Sequence, residues 1–321
     1  MSNILITSAG RRVDLVNIFK DELKKINPSY KVYAIDHKPE LSAACYIADN
    51  SFKSPKVSDK EYIEFIIQLC RKHDIRLVIP TIDFDLPVLS KHRKTMEDLG
   101  IEVIVSNETF IDYTSNKEFT NKLFNKIGID TPKIYSKYNL TYPCFVKPVD
   151  GSSSKGIYVL HDESFLSQDI FENSKNIFTE FIDSTYEEYT IDIYFDRHGD
   201  LKCYVPRKRI ETRAGEVSKA LTTKGHLYQL LGDKLRKMRG ARGCVTLQVF
   251  FNESEKILKA IEVNARFGGG YPLTYEAGGN FPEMILKQYL LGKDIDLFEN
   301  WEEDLLMLRY DSKLIVHAKS K

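Results

Sequence analysis

In the stretch ILKAIEVNAR, residues 257–266, Glu262, Asn264 and Arg266 fall on one side of an extended chain and Ile261, Val263 and Ala265 on the other. The preceding stretch, CVTLQVFF at 244–251, puts Thr246 and Gln248 on one side in the same way. The polar turn NESEK joins the two, so they are expected to pair as antiparallel strands. A carboxylate, two amide oxygens and a guanidinium then converge on one sheet surface. Hard cations such as Mg²⁺ take oxygen ligands, commonly one or two carboxylates completed by nucleotide phosphates, and Glu262 with Asn264 and Gln248 suits such a site. The same alternation also describes the wet outer face of an ordinary hairpin.

A second candidate is VKPVDGSSSKGI, residues 146–157. The small residues Gly151, Ser152, Ser153, Ser154 and Gly156 let backbone N–H groups approach an anion, and Lys147 and Lys155 supply positive charge. Composition alone also fits a flexible linker. The flanking PCFVK and GIYVL both read as strands, which favours a hairpin loop. The loop is not a Walker motif, and ITSAGRR near the N-terminus has one glycine where a dinucleotide fingerprint needs three.

The third candidate is TEFIDSTYEEYTIDIYF, residues 179–195. Glu180, Phe181 and Ile182 end one strand and Glu187 and Glu188 open the next; such a linker offers a purine its apolar walls and peptide edge, and a ribose its carboxylate. An ordinary hairpin edge has the same composition. In VPRKRIETRAGEVSK, Arg207, Arg209 and Arg213 surround a loop with Gly215, and a guanidinium fork suits a carboxylate or acyl phosphate. The plain alternative is a basic strand edge. Asp83 and Asp85 stand at the end of a first-domain strand, where open α/β sheets place ligands, so contact with a substrate amine is one reading and helix N-capping the plainer one.

The elements that must hold these residues divide into two rhythms. From residue 4 to 106, β-branched runs (ILITSA, KVYAID, RLVIPT, EVIVS) alternate with helical patterns, which predicts a parallel sheet covered by helices. One helix is expected to open at a capping box formed by Ser58 and Glu61. After a helical stretch at 108–132, short strands with short connections predict an α+β half rich in antiparallel pairing, with helices near 226–239 and 281–291. Domain boundaries are expected at 1–110, 111–185 and 186–321.

Lys plus Arg and Asp plus Glu number 46 each, so net charge gives no argument for a nucleic-acid partner. The five cysteines are scattered without metal-ligand spacing, and no run reaches the length of a membrane span. A soluble cytoplasmic protein is the expectation.

Taken in order, the motifs FVKP, GSSSKG, EFI, E-Y-T-x-D, Gln248 and E-x-N-x-R resemble those of the ATP-grasp superfamily, particularly its carbamoyl-phosphate-synthase-like and biotin-carboxylase-like members. The resemblance covers nearly the whole chain. It implies an N-terminal α/β domain followed by two α+β subdomains that clasp ATP. It implies phosphate contacts from Lys117 and Lys147, with Asn116 standing where the family usually has Asp. It implies a phosphate lid at 151–156, adenine contacts at Glu180 to Ile182 and a ribose contact at Glu188. Gln248, Glu262 and Asn264 would hold Mg²⁺ or Mn²⁺, and Arg266 would meet the transferred phosphate or acyl intermediate.

The activity implied is an ATP-dependent ligase that joins a small carboxylate to an amine or ammonia through an acyl phosphate, with Arg209 and Arg213 as further contacts and a homodimer as the assembly. Two alternatives stand beside it: a carbamoyl-phosphate-forming or carboxylating enzyme that uses bicarbonate, and a non-catalytic nucleotide-binding subunit.

Overall fold

The computed structural model describes residues 2–115, 117–148, 156–213 and 215–317. Four loop residues expected to bind phosphate (Gly151, Ser152, Ser153 and Ser154) and the side chain of Lys117 lie outside the described residues.

The first sheet is formed by β1 (Asn3–Thr7), β2 (Val32–Asp36), β3 (Asn50–Lys53), β4 (Ile75–Pro80) and β5 (Glu102–Val103), in the order β3-β2-β1-β4-β5. All its pairings are parallel. Its central strands read as unbroken apolar runs because both faces are covered, and all five residues of β1 are buried. The polar edge strand β3, NSFK, escapes recognition in the sequence because it carries no apolar run. The expected capping box does not form. The helix Tyr62–Lys72 begins after Glu61 without a side-chain cap, and Ser58 Oγ donates instead to Asp59.

The second sheet contains β6 (Ile134–Tyr135), β7 (Cys144–Pro148), β8 (Tyr158–Leu160) and β9 (Asn176–Glu180), antiparallel in the order β6-β9-β7-β8. Its core is small: Cys144, Val146, Leu160 and Phe178 are buried against one another.

The third sheet contains β10 (Glu187–Phe195), β11 (Leu201–Arg213), β12 (Glu216–Thr222), β13 (Gly243–Asn252), β14 (Ile257–Asn264) and β15 (Leu306–Leu308). It is antiparallel throughout, in the order β14-β13-β10-β11-β12-β15. The expected mixture of a parallel N-terminal sheet and antiparallel C-terminal sheets is what the chain adopts.

The first and third sheets share one interior. Leu5 and Val78 lie in the same buried cluster as Tyr189, Ile191 and Leu247. Ile4 and Phe19 lie in another with Tyr271, Phe281 and Ile285. The helix Lys117–Ile127 also buries Leu123, Phe124 and Ile127 in that shared interior. Arg242 ties the two parts at their rim, donating to Glu97 at 2.7 Å, Glu102 at 2.9 Å and the Tyr289 hydroxyl at 2.7 Å. No helix among the described residues is long and apolar enough to cross a membrane.

Candidate active site

The register of the third sheet decides which side chains share a face. Thr190 on β10 stands opposite Gln248 on β13, and Gln248 opposite Glu262 on β14. One step along the strands, Asp192 stands opposite Thr246, and Thr246 opposite Asn264. The side-chain period of two therefore gathers Glu188, Thr190, Asp192, Thr246, Gln248, Glu262 and Asn264 on one face. Glu187 has the opposite parity on β10, and its carboxylate is taken by Lys208 and the Tyr189 hydroxyl.

Glu262 is the hub of this face. Its Oε1 accepts from Gln248 Nε2 at 2.7 Å and from Asn264 Nδ2 at 2.9 Å. A carboxylate flanked by two amides, each with an oxygen to offer on rotation, fits a Mg²⁺ ion whose other ligands are phosphate oxygens. It is not a free-standing metal cage: no group of three or more His, Cys, Asp or Glu among the described residues could hold an ion. Nearby, the half-buried Glu188 sits 3.3 Å from Arg209 Nε. Burial pushes the Glu188 carboxyl up, Arg209 pulls it back, and Glu262 adds to the rise.

Arg266 follows β14 and turns toward the first domain. Its Nη2 donates to Asp83 at 2.7 Å and also lies 3.4 Å from Asn264 Oδ1. Asp83 therefore serves this arginine, while Asp85 is buried and accepts from Thr7 at 2.6 Å, Ser8 at 3.0 Å and Tyr62 at 3.2 Å. Neither caps the helix Asp85–Asp98, whose N-cap makes no side-chain hydrogen bond. Arg213 is exposed near the tip of the β11–β12 hairpin and pairs with Asp311.

The second sheet presents Lys147 on the side of β7 opposite the buried Cys144 and Val146. The two ends of the 149–155 segment lie together, since a Cβ on Gly156 would be 3.1 Å from Pro148 Cγ. Glu180 closes β9 and pairs with Lys259 on β14, fastening the second sheet to the third. Phe181 and Ile182, both half-buried, form the crossing between the sheets.

Residues 4–104 match the family described as PylC-like, N-terminal domain, and residues 175–309 match the family described as ATP-grasp in the biosynthetic pathway with Ter operon. Residues 175–309 belong to an ATP-grasp family. It is 25% identical over 256 residues to a carbamoyl-phosphate synthase of Methanobrevibacter smithii, a match that takes in 73% of this chain and 66% of that protein. It is 24% identical over 196 residues to a D-alanine–D-alanine ligase of a Wolbachia species, covering 54% and 61%. The chain thus spans just under two thirds of the length of these curated relatives. Among solved structures, the biotin carboxylase domain of Hydrogenobacter thermophilus 2-oxoglutarate carboxylase, described with MgADP and bicarbonate, superposes with a TM-score of 0.71 at 15% identity, over 95% of this chain and 73% of that one. The Staphylococcus aureus N5-carboxyaminoimidazole synthetase complexed with ADP gives a TM-score of 0.70 at 16% identity, over 92% and 78%. These structural likenesses show that the chain shares the fold of those two enzymes.

Two parts of the candidate site were not legible in the motifs. Arg207, grouped on sequence with Arg209, is fully buried and pairs with the equally buried Asp192, its Nε donating at 2.9 Å. Thr274 donates to the same carboxylate oxygen at 2.6 Å, so this pair anchors the glycine loop after Arg266 beneath the active face. The other part is the turn after β1, with Arg11 and Arg12. The parallel order reverses at β1 and β4, where open α/β sheets place their ligands; the sequence signals there were a glycine–arginine pair after β1 and the PTIDFD stretch at the end of β4.

Proposed function

We propose that this ATP-grasp protein is a carboxylate–amine ligase that activates a small acid as its acyl phosphate and releases ADP. The observation that carries this reading is the gathering of Gln248, Glu262 and Asn264 on the face that bears the Glu188–Arg209 pair, with Arg266 leading from that face to the first domain. The matches to D-alanine–D-alanine ligases support it.

In the reading we favour, one oxygen of the substrate carboxylate attacks the γ-phosphorus of ATP while the bond from that phosphorus to the bridging oxygen of ADP breaks. The amine then attacks the acyl carbon, phosphate leaves with the bonding pair, and the nitrogen gives up a proton. Catalysis of this kind is positioning and charge neutralisation, with no enzyme nucleophile. Lys147, together with Lys117, would hold phosphate oxygens, and the 151–156 loop would cover them. Glu180, Phe181 and Ile182 would take adenine at the crossing between sheets, and Glu188 the ribose. Glu262, Gln248 and Asn264 would hold Mg²⁺, or Mn²⁺, which supplies charge neutralisation at the phosphates. Arg266 and Arg209 would stabilise the transferred phosphoryl group and the acyl phosphate.

The test is release of ADP, rather than AMP and pyrophosphate, from Mg-ATP in the presence of carboxylates and amines, with hydroxylamine as a trap for the acyl phosphate. Glu262→Gln should abolish substrate-dependent ADP release; undiminished turnover in that variant would remove the metal assignment. A second reading, in which bicarbonate is the acid, draws support from the carbamoyl-phosphate synthase match. ADP release that depends on bicarbonate and on no other acid would favour it.

A further inference from the structure

At the switch point of the first sheet lies a cavity of ≈ 270 Å³, lined among others by Gly10, Arg12, Ile82, Glu216, Phe267 and Arg309. Its walls come from the first domain, from the glycine loop after Arg266 and from the β11–β12 hairpin with its edge neighbour. The charges are distributed unevenly. At the mouth, Glu216 accepts from Arg11 at 2.9 Å and lies 3.3 Å from Arg309. Deeper in, among the described residues, the Arg12 guanidinium makes a single hydrogen bond, to the Thr81 carbonyl at 3.3 Å, and no carboxylate pairs with it. The carboxylates closest to it electrostatically, Glu216 and Asp83, are committed to other arginines. Burial, followed by repulsion from Arg266, pushes the Arg12 guanidinium down to about 10. An anion placed beside Arg12 relieves both effects.

We propose that this cavity seats the acid substrate, and that the acid is a compact monocarboxylate whose carboxylate is held by Arg12 at the end next to Arg266, with its body against Ile82 and Phe267. This rests on the ligase reading above and names its acid. The Arg266 end is the one that leads to Asn264 and Glu262, so a carboxylate there stands on the side from which the phosphoryl group arrives. The charge balance selects a single negative charge. Arg11, Arg12 and Arg309 face Glu216 and Asp14, which leaves one uncompensated cation. A dianion would have to displace Glu216 from both of its guanidinium partners. The volume falls below that of pockets for drug-sized ligands, which points to a small molecule. Gly269 keeps the space open: a Cβ there would touch Arg12 Nη1 and Glu216 Oε2, each at 3.6 Å, and a larger side chain would occupy the seat.

The test is saturation-transfer NMR and titration on the full chain with Mg-ADP, using propionate, butyrate, isovalerate, alanine and valine, their primary amides, and succinate and glutarate. The monocarboxylates should bind and the amides should not. Arg12→Met should weaken acid binding by about 10- to 100-fold, the loss expected for a charge-assisted contact. Arg12→Lys should lose less, and Gly269→Val should block binding without altering charge. ADP affinity and thermal unfolding should stay as in the parent protein in all three. Glu216→Gln should shift preference toward the diacids. Equal binding of acids and amides, preference of the parent protein for diacids, absence of binding by every acid, or unchanged acid binding in both Arg12→Met and Gly269→Val would each overturn the proposal. Acid binding through Arg12 without ADP formation when Mg-ATP and hydroxylamine replace Mg-ADP would instead remove the ligase reading and leave the seat standing.

Discussion

Single carboxylates in this protein acquire different chemistry from their surroundings. Asp85, with no exposed surface, is pushed up to about 6 by burial despite the hydroxyls of Thr7, Ser8 and Tyr62. Its folded-state value lies above the ordinary 3.8, so the fold prefers the protonated acid. The stability this confers is fully present below the ordinary value, declines as pH rises toward about 6, and is gone above it. Urea titrations from pH 4 to 7 should therefore show the stability of the parent protein relative to Asp85→Asn falling by up to about 3 kcal/mol and then levelling. A pH-independent difference would place the ionisation elsewhere. Ser8 and Gly10, whose turn leads into the acid cavity, take positive φ values of 49° and 50°, so this carboxylate braces a turn that the backbone alone would not favour.

Among the elements, the glycine loop at 268–270 is determined by what lies under it. A Cβ on Gly270 would fall on Arg207 Nη1, and a Cβ on Gly268 would come within 3.1 Å of Thr246. Gly270→Ala should move the loop away from the active face, and a rise in the half-saturating acid concentration larger than that for ATP would register the shift. The Asp192–Arg207 pair beneath is wholly buried, and removing one partner strands the other charge. Asp192→Ala should cost about 3–5 kcal/mol in denaturant unfolding, and replacing both residues by apolar side chains of similar volume should cost much less. Equal losses in the two variants would show that packing, rather than the stranded charge, sets the penalty.

Across the whole molecule, stability is unequally shared. The first and third sheets are joined by common buried clusters, whereas the second sheet has a small core of its own. Local opening follows contact density, so hydrogen exchange should be slowest in β1, β10 and β13 and fastest in β7, β8 and β9. If the proposed function holds, Mg-ADP should slow exchange in β7 and β9 most, because nucleotide between the second and third sheets would add contacts to the Glu180–Lys259 pair that already joins them. Uniform protection on nucleotide binding would argue against a mobile second sheet.

The strand alternation at 244–266 was enough to place Gln248, Glu262 and Asn264 on one face, because a period of two depends only on local backbone geometry. The parallel rhythm of residues 4–106 and the antiparallel half after it were legible for the same reason. What the tertiary structure decided was which charges meet. Arg207 and Arg209 are two residues apart on β11, yet one is buried against Asp192 and the other faces Glu188. Arg213 read as their companion until the hairpin carried it to Asp311. Asp83 meets Arg266 across 183 positions of sequence, and Arg11 meets Glu216 across 205. The acid cavity has no motif because its lining comes from segments that only the shared interior of two sheets brings together. Local periodicity could specify the face that carries Gln248, Glu262 and Asn264, but the partner of each charged side chain depended on long-range packing.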